Sequence, residues 1–366
     1  MSMMAKLKER MAVEWRERRR WRKPPAGPPR LFYGRDSIGG RHEVVAGGIV
    51  KIQDLQNVFP NTPVRPNLLY LVSSAIPPYA PLMAGLASRG GGRIVLNQNG
   101  VAYAGWYGHG WQRANLSLRA LLHGADYVFY QSRFCQMAAD RFLGEYGGPS
   151  EVLYNPVDTA VFAPAERNDR GNPWTLLLAG THCHHYRVHS ALVTIRRLLE
   201  KGLNVRLVVA GRYSWRASET DATKEVDQMI AELDLASVVR RQGAYTQAEA
   251  VGLLRSADIL LHTKYNDPCP RLVVEAMACG VPVVYSASGG VPELVGENAG
   301  VGVPAALDWD NDHPPAPDAL AAGVIRVVGD YHAYALAARA RAVAEFDVGR
   351  WVERHRVVFE AMVSHV

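Results

Sequence analysis

Short apolar runs alternate along the chain with stretches of helical period. "RLFYG", "NLLYLVSS", "RIVLNQNG" and "DYVFYQS" are rich in Leu, Val, Ile and aromatics and bounded by turn residues, the pattern of buried strands. Between them, "GGIVKIQDLQNVF", "PPYAPLMAGLASRG", "WQRANLSLRALLHGA" and "RFCQMAADRFLG" carry apolar residues at helical spacing. Proline opens the second of these and glycine closes it. Strand alternating with helix predicts a parallel sheet covered on both faces.

The alternation stops at "SEVLYNPVDTAVFAPAERNDRGNP", a polar, turn-rich stretch expected to link two domains. A second run follows. "WTLLLAG", "NVRLVVAG", "VVRRQGAY", "DILLHT" and "PVVYSAS" read as strands. "ALVTIRRLLEKG", "ATKEVDQMIAELDL" and "TQAEAVGLLRSA" read as helices. "AALDWDNDHPPAPDAL" reads as an acidic loop before helices that run to the C-terminus. Asp308, Asp310 and Asp312 within it lack the glycine and terminal glutamate of a calcium loop, so the loop is expected to be solvated. The expected organisation is a basic tail over 1–28, an acceptor-side domain over 29–160 with residues 347–366 packing back on it, and a donor-side domain over 161–346. Two such domains place a ligand cleft at the carboxyl ends of their strands.

Charge changes the picture only at one end. Residues 1–30 hold ten Lys/Arg against three Glu, more than the whole chain's net +6, so the rest is about neutral. Leu7, Met11 and Trp15 recur at helical spacing among these basic residues. The tail fits an interfacial helix drawn to anionic lipid; the alternative is a solvated, partly disordered leader. No basic face with interleaved aromatics recurs in the body, which argues against nucleic acid as a partner. No run approaches the ~18 apolar residues of a membrane span, and no signal peptide is visible. The four cysteines lack paired spacing and read as free thiols of a cytoplasmic protein, with peripheral membrane contact through the tail.

The chemistry concentrates in "NDPCPRLVVEAMACGVPVV", residues 266–284. Glu275 lies in an apolar run, and Asp267 lies eight residues before it in a loop with two prolines. A buried carboxylate needs a partner. Pro270 suits the first turn of a helix, whose N–H groups and dipole favour an anion. Asp267 could cap that helix, but the third residue after it is Pro270, which has no N–H. Glu275 could be a core carboxylate paired with an arginine, or could accept hydroxyl hydrogen bonds from a bound sugar or ribose. Two carboxylates flanking a phosphate held at Pro270–Leu272 suit a nucleotide diphospho-sugar.

The stretch D-x7-E, followed by "AMACGVPVVYSASGGVPELV", resembles the E-x7-E region of group-1 glycosyltransferases with the GT-B fold. "SEVLYNPVDTAVFAP", "ADYVFYQSRF" and "VVRRQGAYTQAEAVGLLRSADILLH" extend the resemblance over residues 31–366, with its strongest part at 240–296. It implies two Rossmann-like domains facing across a cleft. It also implies a retaining, NDP-sugar-dependent hexosyltransferase, with a glycan or lipid-linked acceptor of cell-envelope polysaccharide or glycolipid synthesis and no required cofactor. A non-catalytic nucleotide-sugar binder of the same fold is the alternative.

Carried over by position, Asp267 meets donor-sugar hydroxyls and Glu275 the ribose. Backbone at Cys269, Pro270, Arg271 and Leu272 meets the distal phosphate. Gly47 and Gly48 match paired glycines that let backbone approach donor and acceptor, Arg241 to Ala244 border the base, and Arg212 borders the nucleotide. The chain departs from the pattern in three places. Where an Arg and a Lys usually grip the diphosphate, it reads "GTHCHHYRVH", with Thr181 at the Arg position and Arg187 the candidate for the missing charge. Asn99 stands where a histidine is usual. Asp267 is shorter than the usual Glu. His109, among Trp106, Tyr107 and Trp111, is a candidate for the acceptor pocket. His182, Cys183, His184, His185 and His189 suggest a metal, but 182–185 are consecutive and cannot all converge from a regular element, so no metal site is expected.

Overall fold

The computed structural model describes residues 3–40, 43, 47–166 and 171–364. Ala46 before the paired glycines and residues 167–170 of the expected linker lie outside the described residues. The chain forms two compact units, Met1–Tyr154 with Val348–Val366, and Asn155–Asp347.

The first unit is built on a parallel sheet of β1 (Leu31–Phe32), β2 (Leu68–Val72), β3 (Arg93–Gln98), β4 (Tyr127–Tyr130) and β5 (Ser150–Val152), in the order β1-β2-β3-β4-β5. β2 is buried at every position, which is why it reads as an unbroken apolar run. Helices over Gly47–Gln56, Ala80–Arg89, Leu116–His123 and Arg133–Leu143 connect the strands. The last of these starts at Ser132, whose side chain accepts from Cys135 N. The final helix, Val348–Val363, joins the core through Trp351, Val358 and Phe359. Its buried His355 lies 3.0 Å from the Tyr70 hydroxyl.

Two expectations change here. The leader is a helix, Met3–Arg20, that packs on helix Ala80–Arg89, with Trp21 fully buried behind it. A buried aromatic side chain and a buried Glu17–Arg20 pair anchor it, so it is not a solvated leader. Ser150–Val152, assigned to the linker, pairs with β4 as the fifth strand.

The second unit carries β6 (Trp174–Leu178), β7 (Val205–Ala210), β8 (Val239–Gln242), β9 (Ile259–His262), β10 (Val283–Ala287) and β11 (Gly300–Pro304), all parallel, in the order β11-β10-β9-β6-β7-β8. Sequence patterning misses β11, because its "GVGVP" lacks the bulk of a typical strand. Helices His185–Glu200, Glu219–Glu232 and Pro317–Gly329 bury Val188, Ile195, Val226, Leu320 and Val324 against Leu176, Leu207, Leu261 and Val284. Each such side chain contributes roughly 1.5–3 kcal/mol. Helix Gln247–Arg255 begins with a capping box between Thr246 and Glu249.

The boundary between units falls at 154/155, earlier than the expected 160/161, because residues 155–162 are bound to the second unit. Asn155 Nδ2 donates to Cys269 O at 2.6 Å, and Arg339 donates to Thr159 O and Phe162 O. The second boundary falls at 347/348, one residue later than expected, because Asp347 accepts from Thr159 Oγ1 and bridges Val157.

Candidate functional site

In the second unit the strand order reverses between β6 and β9, the switch point where open α/β sheets bind ligands. The loops leaving these two strands, with the starts of the helices that follow, carry about half of the candidate residues, and Thr263 Oγ1 ties them by donating to Arg187 O at 2.8 Å. β9 ends at His262, and the chain then runs through Lys264 and Asp267 to helix Arg271–Ala278.

Asp267 sits in an ionic cradle. Lys264 Nζ lies 3.3 Å from Oδ1, and His262 Nε2 lies 3.2 Å from Oδ2, off the line of a good hydrogen bond. The carboxylate is only 13% exposed. Burial alone would raise its pKa, but Lys264, His262 and Arg187 outweigh burial and hold it below the usual carboxylate range. The loop is fixed from behind. Asn266, at φ +48°, donates its N–H to Ser288 Oγ, and Gly290 N donates to Asp267 O at 2.9 Å. Gly289 has φ +66°, and a Cβ there would sit 2.4 Å from Asp267 O, so only glycine permits this approach.

Pro270 is the N-cap of helix Arg271–Ala278, one position outside the expected first turn. No side chain caps this end, and Asp267 faces His262 and Lys264 instead. Val273 N donates to Pro270 O at 3.1 Å, and the dipole at a helix start favours an anion. Cys269 and Pro270 are buried, while Arg271 and Leu272 are half-buried. Glu275 is buried on the same helix. Its Oε1 accepts from Arg271 Nε at 2.9 Å and from Gln247 Nε2 at 2.8 Å. The arginine pairing weighed for Glu275 is thus present, with Arg271.

Arg187 is more enclosed than its expected role on a phosphate suggests. The residue is 3% exposed, and its guanidinium donates to Thr181 O and Ala179 O, which stiffens the β6 loop. Its Nε has no hydrogen-bond partner, and its charge acts on Asp267 and on His182. Thr181 itself is exposed. His182 is fully buried, with Nε2 3.1 Å from Ala210 O, and burial, reinforced by Arg187, pushes its pKa down to about 3. Among the described residues, no three His, Cys, Asp or Glu side chains are grouped to hold a metal.

The acidic loop is not simply solvated. Trp309 is buried, Asn266 Nδ2 donates to Asp308 O at 3.0 Å, and His184 Nδ1 lies 3.4 Å from Asp312 Oδ2. Asp308 accepts from the N–H groups of Asp310 and Asn311, which turns the loop on itself. Arg212, Arg241 and Ala244 are exposed, and Arg241 pairs with Asp227 at 2.8 Å.

The remaining candidates lie in the first unit. Asn99 follows β3. Its N–H donates to Ser73 Oγ at 2.7 Å, and its carbonyl accepts from Gln98. Gly48 is buried against 74–75, where a Cβ would meet Ala75 Cβ and Ser74 Oγ at 2.7 Å, while a Cβ on exposed Gly47 would meet nothing within 4 Å. His109 is exposed in a turn between Gly108 and Gly110. Sequence reasoning missed Lys264, His262 and Gln247. The available signal was a lysine and a histidine at the end of a buried strand, and a glutamine one residue after a capping threonine.

Residues 162–342 match the family described as glycosyl transferases group 1. The glycogen synthase of Mycobacterium tuberculosis H37Rv is 29% identical over 220 residues, 58% of this chain and 50% of that protein. The D-inositol 3-phosphate glycosyltransferase of Streptomyces bingchenggensis is 32% identical over 180 residues, 45% of this chain and 40% of that protein. The chain spans about half the length, or less, of these curated relatives. Anabaena Alr3699/HepE, solved in complex with UDP-glucose, aligns with a TM-score of 0.65 at 21% identity, covering 82% of this chain and 79% of its own. That likeness speaks for the fold. Residues 162–342 are thus similar to the group 1 glycosyl transferase family, within a chain that has the GT-B fold.

Proposed function

We propose that this chain transfers a hexosyl unit from an NDP-sugar to an acceptor hydroxyl, with retention of anomeric configuration. The observation that carries the reading is the pair Asp267 and Glu275 around an uncapped helix start at the β6/β9 switch point. In this reading the distal phosphate sits on the first turn at Arg271 and Leu272, where helix N–H groups and dipole stabilise charge on the leaving diphosphate. Asp267, kept ionised by Lys264, accepts hydrogen bonds from donor-sugar hydroxyls. Glu275, oriented by Arg271 and Gln247, accepts from the ribose. Neither acts as a nucleophile. The leaving diphosphate takes the acceptor's proton on the same face, so the protein's work is positioning and charge stabilisation. This scheme requires no metal or other cofactor. A glycan or lipid-linked acceptor of envelope polysaccharide or glycolipid synthesis fits the reading.

Lys264 and His262 are positioning residues here: they act through Asp267. The test is a thermal-shift panel of UDP-, GDP- and ADP-sugars, starting with UDP-glucose, followed by donor-hydrolysis and transfer assays. A donor at a hundred times its Kd should add about 2.7 kcal/mol to stability. No shift with any nucleotide sugar, together with no donor hydrolysis, overturns the proposal.

A further inference from the structure

The N-terminal helix has two faces, and the fold uses one. Val13, Glu17 and Arg20 turn inward, Arg20 bonds Glu17 and Asp36, and Trp21 Nε1 donates to Glu17 at 3.1 Å. Trp21 fills a niche floored by glycines. A Cβ on Gly90 would lie 2.3 Å from Trp21 O, and one on Gly92 2.6 Å from its ring. This anchor fixes the rotation of the helix, and with it the direction of the other face. There, Met3 (89% exposed), Met4 (71%), Leu7 (57%), Met11 (61%) and Trp15 (66%) form a continuous stripe at helical spacing, turned away from the anchored side. Scattered exposed apolar residues are ordinary, but an aligned row of five on one helix face is a contact surface.

The charge around the stripe selects its occupant. Arg16, Arg18 and Arg20 pair with Asp36, Glu14 and Glu17. Lys8, Arg10 and Arg19 stay exposed beside the apolar row, Lys6, Arg22 and Lys23 are exposed elsewhere on the helix or just beyond it, and the Arg19 guanidinium sits 5.8 Å from the Trp15 ring. A second copy would bring two strongly positive faces together. An anionic surface with an apolar interior complements both the stripe and its flanks. Among the described residues, no helix is long and apolar enough to cross a membrane, so contact through this helix would lie along the surface. We infer that helix Met3–Arg20 docks the chain on an anionic lipid bilayer, with Leu7, Met11 and Trp15 seated at the headgroup boundary.

Co-sedimentation of the full chain with phosphatidylcholine vesicles, with and without phosphatidylglycerol, tests this without any sugar substrate. Its outcome is therefore separate from that of the transfer reading. Expected are roughly tenfold stronger binding to the anionic vesicles, weakening in high salt, and loss of binding in the triple variant Leu7→Glu/Met11→Glu/Trp15→Glu at unchanged melting temperature. If that variant melts lower, Lys6→Glu/Lys8→Glu, at exposed positions, carries the same test. Equal binding to both vesicles, no binding to either, or undiminished binding by a folded variant overturns the inference. So does a lipid-free dimer, seen by light scattering, that the triple variant dissolves, since the stripe then faces a second copy.

Discussion

The two units carry parallel sheets of similar build but furnish the carboxyl ends of their strands with different chemistry. In the second unit those ends hold charges that are largely matched: Lys264 with Asp267, Arg271 with Glu275, and Arg187, apart from its Nε, with loop carbonyls. In the first unit β3 and β4 run into buried neutral amides, and the charge of Arg35 lies beyond β1. Gln131 Nε2 donates to buried Asn97, and Asn99 is fixed mainly through its backbone. Beyond Asn99, two short helices split at Gly108 and Gly110 leave Tyr107 and His109 in solvent. A preorganised set of charges suits a ligand of fixed charge pattern, such as a nucleoside diphosphate. Amides and an exposed turn suit a neutral ligand whose shape varies.

The strongest blow to this contrast should come at Glu275. Glu275→Ala removes the carboxylate that Arg271 and Gln247 orient, and kcat/KM should fall roughly 10²- to 10³-fold, the scale of losing one oriented polar group in an active site. Titration calorimetry with the donor should show the accompanying loss of ribose binding. A variant that kept full donor affinity and turnover would make Glu275 a structural ion-pair partner only.

Lys264→Met should come next. It leaves Asp267 largely buried beside His262 and Arg187 without its nearest cation. Breaking a buried pair costs about 3–5 kcal/mol; here His262 remains and both partners keep some solvent, so roughly 2–3 kcal/mol should appear in urea unfolding. Lys264→Arg should recover most of the stability. If Lys264 matters through Asp267, the methionine variant should also show a raised acid limb in its pH–rate profile, because Asp267 loses part of what holds its pKa down.

A smaller effect separates the units by pH. His182 in the second unit and His355 in the first are buried and pushed down to about 3. Burial is the main cause in both, with Arg187 adding to it at His182. Below about pH 6.5 the unfolded chain takes up a proton at each position and the folded chain does not. Stability is therefore full above that pH and declines as pH falls towards 3, by about 1 kcal/mol per histidine for each pH unit. Denaturant titrations between about pH 7 and 5 should show the decline, and His182→Gln should remove only the second unit's share. A flat profile would mean that these rings are accessible to protons in the folded state.

The contrast also explains what was legible in the sequence. The alternation of strands and helices was, because buried parallel strands and amphipathic helices have separate periods. Asp267, Glu275 and the helix start between them were, because a carboxylate in an apolar run is conspicuous. β5 and β11 were not: one is three residues long and the other is glycine-rich. Nor was the true state of Arg187. A sequence position shows that a cation is near the loop, but not that loop carbonyls engage it first. Lys264 and His262 escaped for the opposite reason. Each is an ordinary residue until the turn at Asn266 and the approach of Gly289 fold Asp267 back onto them.

His109 gives the smallest effect and the finest cut. It is exposed in a turn between two glycines with positive φ, so His109→Ala should change stability by less than about 0.5 kcal/mol. It should also leave nucleotide-sugar affinity untouched, because every charged group assigned to the donor lies in the second unit. What should move is the acceptor's KM, by a few-fold and without a matching fall in donor hydrolysis, the signature of lost uniform binding to one substrate. If donor hydrolysis fell in step with transfer, His109 would act on the sugar being moved. The contrast between charges beyond the second unit's strands and amides beyond β3 and β4 would then fail to separate the two substrates at this residue.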